Sequence, residues 1–572
     1  MTEAASAAGA HRPQYVVGVD YGTLSGRALV VRVSDGAELG SAVHEYAHAV
    51  VTDRVPVDGG ASLPPEWALQ VPQDYRDVLR RAVPEAVAAA GIDPVDVIGI
   101  ATDFTACTVL PTTAEGVPLC EVHEWAQRPH AWVKLWRHHA AQPQADRINE
   151  VAAERREPWL PRYGGRISSE WFFSKALQIL DEAPEVYARA ERLIEAADWI
   201  VWQLTGVESR NSCTAGYKAL WSKRDGFPDE AYFAALDPRF ARVVDDKMSH
   251  RVVPIGDRAG GVCETAAGWT GLVPGTPVAV ANVDAHVSVP AATVTRPGTM
   301  VLIMGTSICH VLLSDELAIV DGMCGVVEDG VVPGLFGYEA GQSAVGDIYA
   351  WFVESSVPPE YHELARHRGV DVHQVLVDEA AALRPGESGL LALDWWNGNR
   401  SVLVDADLRG LLVGMTLATR APEIYRALIE ATAFGTRLIV EAYEGGGVAV
   451  DEIVACGGLP DRNKLLMQIF ADVVGRSITV AASKQAPALG SAMFGAVAAG
   501  TAAGGYASIV DAATNMAHLS DEVYVPDPDR HATYGRIYGE YLRLHDLFGR
   551  GGDDVMRHLK SIQAETARPI TT

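Results

Sequence analysis

The chain has 572 residues, 48% hydrophobic and 21% charged, with 73 acidic against 47 basic side chains and a formal net charge of −26. A single hydrophobic core stops growing at about 250–300 residues, so the length predicts two large domains, and the composition excludes a disordered chain or a periodic fibre. The acidic field repels phosphate backbones and anionic lipid and so argues against nucleic-acid and membrane partners, although it leaves room for an anion held locally by backbone amides.

Residues 1–13 are Ala-rich, with no basic segment ahead of an apolar one, and read as a loose tail rather than a signal peptide. The apolar run 15–19 ends at Asp20, Tyr21, Gly22 and Thr23 turn the chain, and 28–33 is a second β-rich run. Together they predict a hairpin whose turn carries Asp20, Thr23, Ser25 and Arg27. Helical periodicity follows over 72–90 and a buried strand over 97–102. Residues 130–220 read as mostly helical, with Trp132, Leu135 and Trp136 spaced to share one face. A buried strand at 277–283 runs into Asp284.

The opening pattern then recurs. Residues 299–303 form an apolar strand, Met304, Gly305, Thr306 and Ser307 a turn, and 308–313 the return strand. Two such units nearly 300 residues apart predict a duplicated α/β core, divided near residue 286 without a floppy linker. A long amphipathic helix over 422–443 stops at Gly445, Gly446 and Gly447, a strand over 452–456 meets Gly457 and Gly458, and helical spacing resumes over 462–473. The last twenty or so residues read as frayed. The seven cysteines are dispersed with no Cys-x-x-Cys pair, the pattern of buried thiols in a reducing cytoplasm.

Each Gly-Thr turn is either an ordinary hairpin turn or a nest of amides and hydroxyls for phosphate, and their matching context favours the second. There is no P-loop run. Asp20 and Asp284, each ending an apolar strand, are either turn-forming residues or a catalytic pair; phosphoryl transfer to an alcohol needs one carboxylate for the hydroxyl proton and another for Mg²⁺. Gly457, Gly458 and Asn463 are either a plain strand-to-helix turn or bare backbone against a nucleoside. The adjacent His138 and His139 read as a surface pair on a helix rather than metal ligands. Trp395, Trp396, Trp132 and Trp136 read as core or pocket wall.

On these residues the chain resembles the FGGY carbohydrate kinases over about residues 14–550. Residues 18–27 (Gly-Val-Asp-Tyr-Gly-Thr-Leu-Ser-Gly-Arg) match the family's first phosphate loop, and the stretch from Gly410 to Met415, with Glu423, Ile424 and Ala427, its second signature. Longer blocks, from Gly164 to Trp171 and from Gly337 through Ser343 to Trp351, are similar to the branch that phosphorylates L-ribulose.

The resemblance implies two actin-like, ribonuclease-H-type domains with a cleft between them: 14–285 binding sugar and 286–550 binding ATP, with tails at 1–13 and 551–572. It implies Asp284 as catalytic base, and Asp20 beside Mg²⁺, acting through water. Thr23, Arg27, Gly305, Thr306 and Ser307 would lie on ATP phosphates, and Gly457, Gly458 and Asn463 on adenosine. Ala106, Trp136, Lys218 and Glu339 would join Asp284 on the sugar. The implied enzyme is cytoplasmic, uses ATP and Mg²⁺, acts on L-ribulose at its C5 hydroxyl and is compatible with a homodimer. The alternatives are an FGGY kinase for D-ribulose, ribitol or xylulose, an actin-like ATPase, or a non-catalytic sugar sensor.

Overall fold

In a computed structural model of the chain, which describes residues 12–566, the valine-rich runs of both halves pair as strands buried on both faces. Tyr15–Tyr21 pairs antiparallel with Ser25–Arg32, which pairs antiparallel with Glu38–Glu45. On its other side Tyr15–Tyr21 runs parallel to Val97–Phe104, which runs parallel to Pro277–Ala279 and to Asn282–Val283. The second sheet repeats this arrangement with Thr299–Met304, Ile308–Ser314, Phe336–Gln342, Glu452–Cys456 and Ile478–Ala481 in the equivalent places. The repeat extends to the rims, where Arg258–Gly261 and Leu519–Tyr524 each add an antiparallel strand beside the fifth. The predicted duplication is thus present in strand order and direction, in a mixed α/β, two-unit, actin-like fold.

The units are not contiguous in sequence. One comprises 1–147, 168–291 and 487–517; the other comprises 148–167, 292–486 and 518–572. A single cut near 286 misses both exchanged segments. The helix Ala486–Ala499 lies on the first sheet, so close that a Cβ on Gly18 would stand 1.8 Å from the Ala488 carbonyl oxygen. Only glycine at position 18 permits that approach.

Two local expectations are corrected. Residues 132–136 are not helical: Val133–Lys134 is a short strand paired with Leu69–Gln70 and Val109, so the sheet contacts override the helical spacing of Trp132, Leu135 and Trp136. The expected carboxy-terminal tail contains the helix Val555–Thr566, anchored by buried Met556 and by Arg557 against Asp405 at 2.5 Å. The tail expected at 1–13 lies almost wholly outside the described residues. No described helix is long and apolar enough to cross a membrane.

Candidate active site

In the first unit the strands deliver three carboxylates to one end of the sheet. Asp20 and Asp103 are register partners on adjacent parallel strands, and Asn282, two residues before Asp284, is the partner of Asp103 on its other side. Asp284 begins the helix Asp284–Ala291, where its Oδ1 accepts the Ala285 amide at 2.7 Å. A carboxylate there satisfies an amide that a helix start otherwise leaves without a partner.

Asp103 is a residue that the sequence reading passed over. It is completely buried, and its Oδ2 accepts the Ser491 hydroxyl at 2.6 Å from the helix Ala486–Ala499. Burial first, then the charges of Asp20 and Asp284, push its carboxyl well above the usual range. Asp20 is half-buried and also raised, chiefly by burial, against a hydrogen bond from Asp103 and the charge of Arg27. Arg27 faces Asp20 directly across the hairpin. Burial and the neighbouring charges thus favour the neutral form at Asp103, whose Oδ1 accepts from no donor. Asp103→Asn, which keeps a neutral donor in place, is expected to hold kcat within about tenfold of the parent. Asp103→Leu, which strands Ser491, is expected to lose more. Steady-state kinetics on both variants check this, and equal damage from the two would refute it.

The first hairpin turn meets the Trp136 turn. Trp136 Nε1 donates to Thr23 Oγ1 at 3.1 Å, and Gln70 Nε2 donates to the Thr23 carbonyl at 2.8 Å. Ala106 lies in the turn after Val97–Phe104, next to Cys107, whose backbone has φ +62°. Lys218 ends the helix Ser212–Lys218, buried, with Nζ 5.4 Å from the Trp171 ring centre and 5.8 Å from that of Tyr217. Its charge acts on both Cys107 and Glu195. Burial raises Glu195 to about 8 and lowers Lys175, on the neighbouring helix Phe172–Glu182, to about 8.

In the second unit the turn Gly305, Thr306 and Ser307 sits against the start of the helix Gly346–Ser355. The amides of Val345 and Gly346 donate to the carbonyls of Thr306 and Gly305 at 2.8 and 3.2 Å, and Thr306 itself is exposed. Gly457 has φ +101°, and a Cβ there would come within 2.5 Å of the Met304 carbonyl oxygen. The two glycine loops are thereby adjacent. Asn463 caps the helix Lys464–Val474, its Oδ1 accepting from the Leu466 amide at 3.0 Å, so its NH₂ is the end that remains for a ligand. Glu339 lies buried in the strand Phe336–Gln342 and pairs with Arg400, which no sequence motif marked. The guanidinium lies across Gly341, where a Cβ would stand 3.0 Å from Nη1.

The surface-pair expectation for the histidines fails at His138. It is buried, accepts the Ala68 amide on Nδ1 at 3.3 Å and meets Gln178 Oε1 through Nε2 at 2.9 Å, which fixes the neutral Nε2–H tautomer. His139 is half-buried between Glu170 and Glu66. Trp395 is core. Among the described residues no group of three or more His, Cys, Asp or Glu side chains is arranged to hold a metal ion. The all-oxygen donors at Asp20 and its neighbours instead fit a magnesium ion taken through one or two carboxylates, water and substrate phosphates.

Comparison with known proteins identifies the family. The FGGY family of carbohydrate kinases, C-terminal domain, matches residues 300–499. The chain is 56% identical over 555 residues to the ribulokinase of Geobacillus thermodenitrificans, covering 97% of this chain and 98% of that one. It is 54% identical to the ribulokinase of Mycolicibacterium smegmatis, with 98% of each covered. Among solved structures, xylulose kinase from Rhodospirillum rubrum superposes with a TM-score of 0.73 at 24% identity, over 93% of this chain and 98% of that one. Plasmodium falciparum glycerol kinase with ADP superposes with a TM-score of 0.70 at 15% identity, over 93% and 98%. These structural likenesses speak to the fold.

Proposed function

The chain belongs to the ribulokinases of the FGGY carbohydrate kinase family, and from that premise we propose how its residues carry ATP-dependent phosphorylation of ribulose. The enzyme is a carbohydrate kinase that uses ATP and a sugar. The observation that carries the reading is the identity of more than half its residues with ribulokinases along nearly their entire length. The finer reading is L-ribulose as acceptor and its C5 hydroxyl as nucleophile, giving L-ribulose 5-phosphate and ADP.

Asp284 accepts the hydroxyl proton as that oxygen attacks the γ-phosphorus and the bond to the ADP oxygen breaks. The transition state is loose, so positioning and charge stabilisation supply most of the rate. Asp20, opposite Arg27 across the hairpin, would hold Mg²⁺ through water; the ion when bound would neutralise charge on the transferring phosphate. Thr23 and Arg27, with the amides and hydroxyls of Gly305, Thr306 and Ser307, suit phosphate oxygens. Gly457, Gly458 and the Asn463 amide suit adenosine. Ala106, Trp136, Lys218 and Glu339 suit the sugar, the charged pair making its stronger hydrogen bonds. Dispersed cysteines and the acidic field support a cytoplasmic enzyme acting on small molecules.

The test is ADP release, coupled to NADH oxidation, with Mg-ATP and each of L-ribulose, D-ribulose, D-xylulose, glycerol and gluconate. Strong stimulation by L-ribulose over the rate without sugar is expected. A different preferred sugar would overturn the substrate, and sugar-independent turnover the kinase reading. Lys218→Ala is expected to raise KM for ribulose by about 10-fold to 10²-fold, the worth of a charged hydrogen bond, with KM for ATP unchanged. A change confined to ATP would remove Lys218 from the sugar.

A further inference from the structure

The helix Phe172–Glu182 carries a lysine that the reaction described above does not use. Lys175 is completely buried, and its Nζ donates to three backbone carbonyls: Cys107 at 2.5 Å, Leu135 at 2.7 Å and Trp136 at 3.4 Å. Those carbonyls belong to two separate turns, one holding Ala106 and the other Trp136. The same Cys107 residue is gripped again through its amide, which donates to Glu195 Oε2 at 2.9 Å. Glu195 is itself buried, at the end of the strand Arg192–Glu195.

This double hold falls where the backbone needs it. Cys107 adopts φ +62°, a conformation that costs a side-chain-bearing residue about 1–3 kcal/mol and persists only when its surroundings impose it. A single ammonium, compact and with three donors, can join three carbonyls at one point; a planar guanidinium cannot. Were the lysine only filling the core, an apolar side chain would serve at lower desolvation cost. What it does instead is tie the two turns together beyond the Val109–Lys134 strand pairing that joins their bases.

We propose that Lys175 is a positioning residue for the sugar: by joining the Cys107 and Trp136 carbonyls it fixes the Ala106 turn against the Trp136 turn and so sets the affinity for ribulose. This rests on the assignment of Ala106 and Trp136 to the sugar made above.

The test is steady-state kinetics on Lys175→Met, with ribulose and ATP each varied at saturation of the other, and thermal shifts with each ligand. Expected is a rise in KM for ribulose of about 10-fold to 10²-fold, the scale of misplacing a binding group by about 1 Å. KM for ATP and the ATP-induced thermal shift should stay near the parent values, and the shift induced by ribulose should shrink. An unchanged KM for ribulose, or equal rises for both substrates, would overturn the proposal. Lys175→Arg keeps the charge but not the three-way junction; if the methionine variant does not fold, it carries the test, with an intermediate rise for ribulose expected and no rise overturning the clamp. Trp136→Phe separates the two levels of the argument. If it leaves KM for ribulose unchanged while Lys175→Met raises it, the assignment of Trp136 fails and the role of Lys175 stands; the reverse result removes the clamp and keeps the assignment.

Discussion

Asp284→Asn is expected to lower kcat by about 10²-fold to 10⁴-fold while leaving KM for ATP and the ATP-induced thermal shift close to those of the parent. The amide is nearly isosteric and can still receive the Ala285 amide that now binds Oδ1, so the helix start survives. What is lost, on the mechanism proposed above, is the group that takes the C5 hydroxyl proton as the oxygen attacks. The contrast with Asp103→Asn sharpens the test. Both aspartates stand at the same end of one sheet, yet Asp103 is raised well above the usual carboxylate range by burial and by its neighbours' charges. An amide at 103 keeps a neutral polar group where burial disfavours charge, whereas an amide at 284 removes the proposed base. Near-normal turnover in Asp284→Asn would remove Asp284 from that role.

The parts of this molecule legible in its sequence are those fixed by nearest-neighbour physics. Both hairpins announce themselves because Val16, Val17 and Val19, and again Val301 and Leu302, are buried runs that break at a glycine and a hydroxyl residue. The helix Ala421–Gly445 is legible for the same reason, from its periodicity and its three closing glycines. Where a distant partner decides, the sequence misleads. Trp132, Leu135 and Trp136 have helical spacing, but Val133–Lys134 is claimed by Leu69–Gln70 as a strand.

His138 follows the same rule, drawn inside because Gln178 and the Ala68 amide give both ring nitrogens a partner. Asp103 was hidden because its meaning lies in its register with Asp20 and in Ser491, 388 residues away; the one local sign is an acidic residue continuing an otherwise buried strand. Arg400 carries no local sign at all. Its partner Glu339 and the vacancy over Gly341 come from a different strand. The exchanged segments 148–167 and 487–517 have no signature in composition for the same reason, since their membership is decided by packing alone.

The second large effect is expected in stability. Arg426 and Glu430 face each other one turn apart on the helix Ala421–Gly445, both buried, with Nε 2.8 Å from Oε1. Arg426 also donates to the Ala380 carbonyl at 2.9 Å and to the Tyr534 hydroxyl at 2.8 Å, and Tyr534 donates to Glu430 at 2.9 Å. The helices Ala421–Gly445, Val372–Ala381 and Pro528–Gly549 are thus joined through one ionic cluster. Removing one partner leaves the other charge buried, and such losses run to about 3–5 kcal/mol. Arg426→Met is expected to lower the thermal midpoint markedly, while Arg426→Met combined with Glu430→Leu recovers most of the loss, because an apolar pair replaces the ionic one.

The pH dependence of the single variant follows from Glu430. Burial already raises its carboxyl above the ordinary value, and Arg426 is the largest influence opposing that rise. Without Arg426 the folded-state value climbs further above the unfolded one, so the folded state binds the proton more tightly. Stability is then retained below the unfolded value and lost as pH rises through the interval up to the folded value. The deficit of Arg426→Met relative to the parent should accordingly be smaller at about pH 5 than at about pH 8, as read from thermal denaturation at the two values. A deficit that is the same at both, or that the second substitution does not relieve, would mean that lost packing of the arginine stem rather than a stranded carboxylate is what the variant reports.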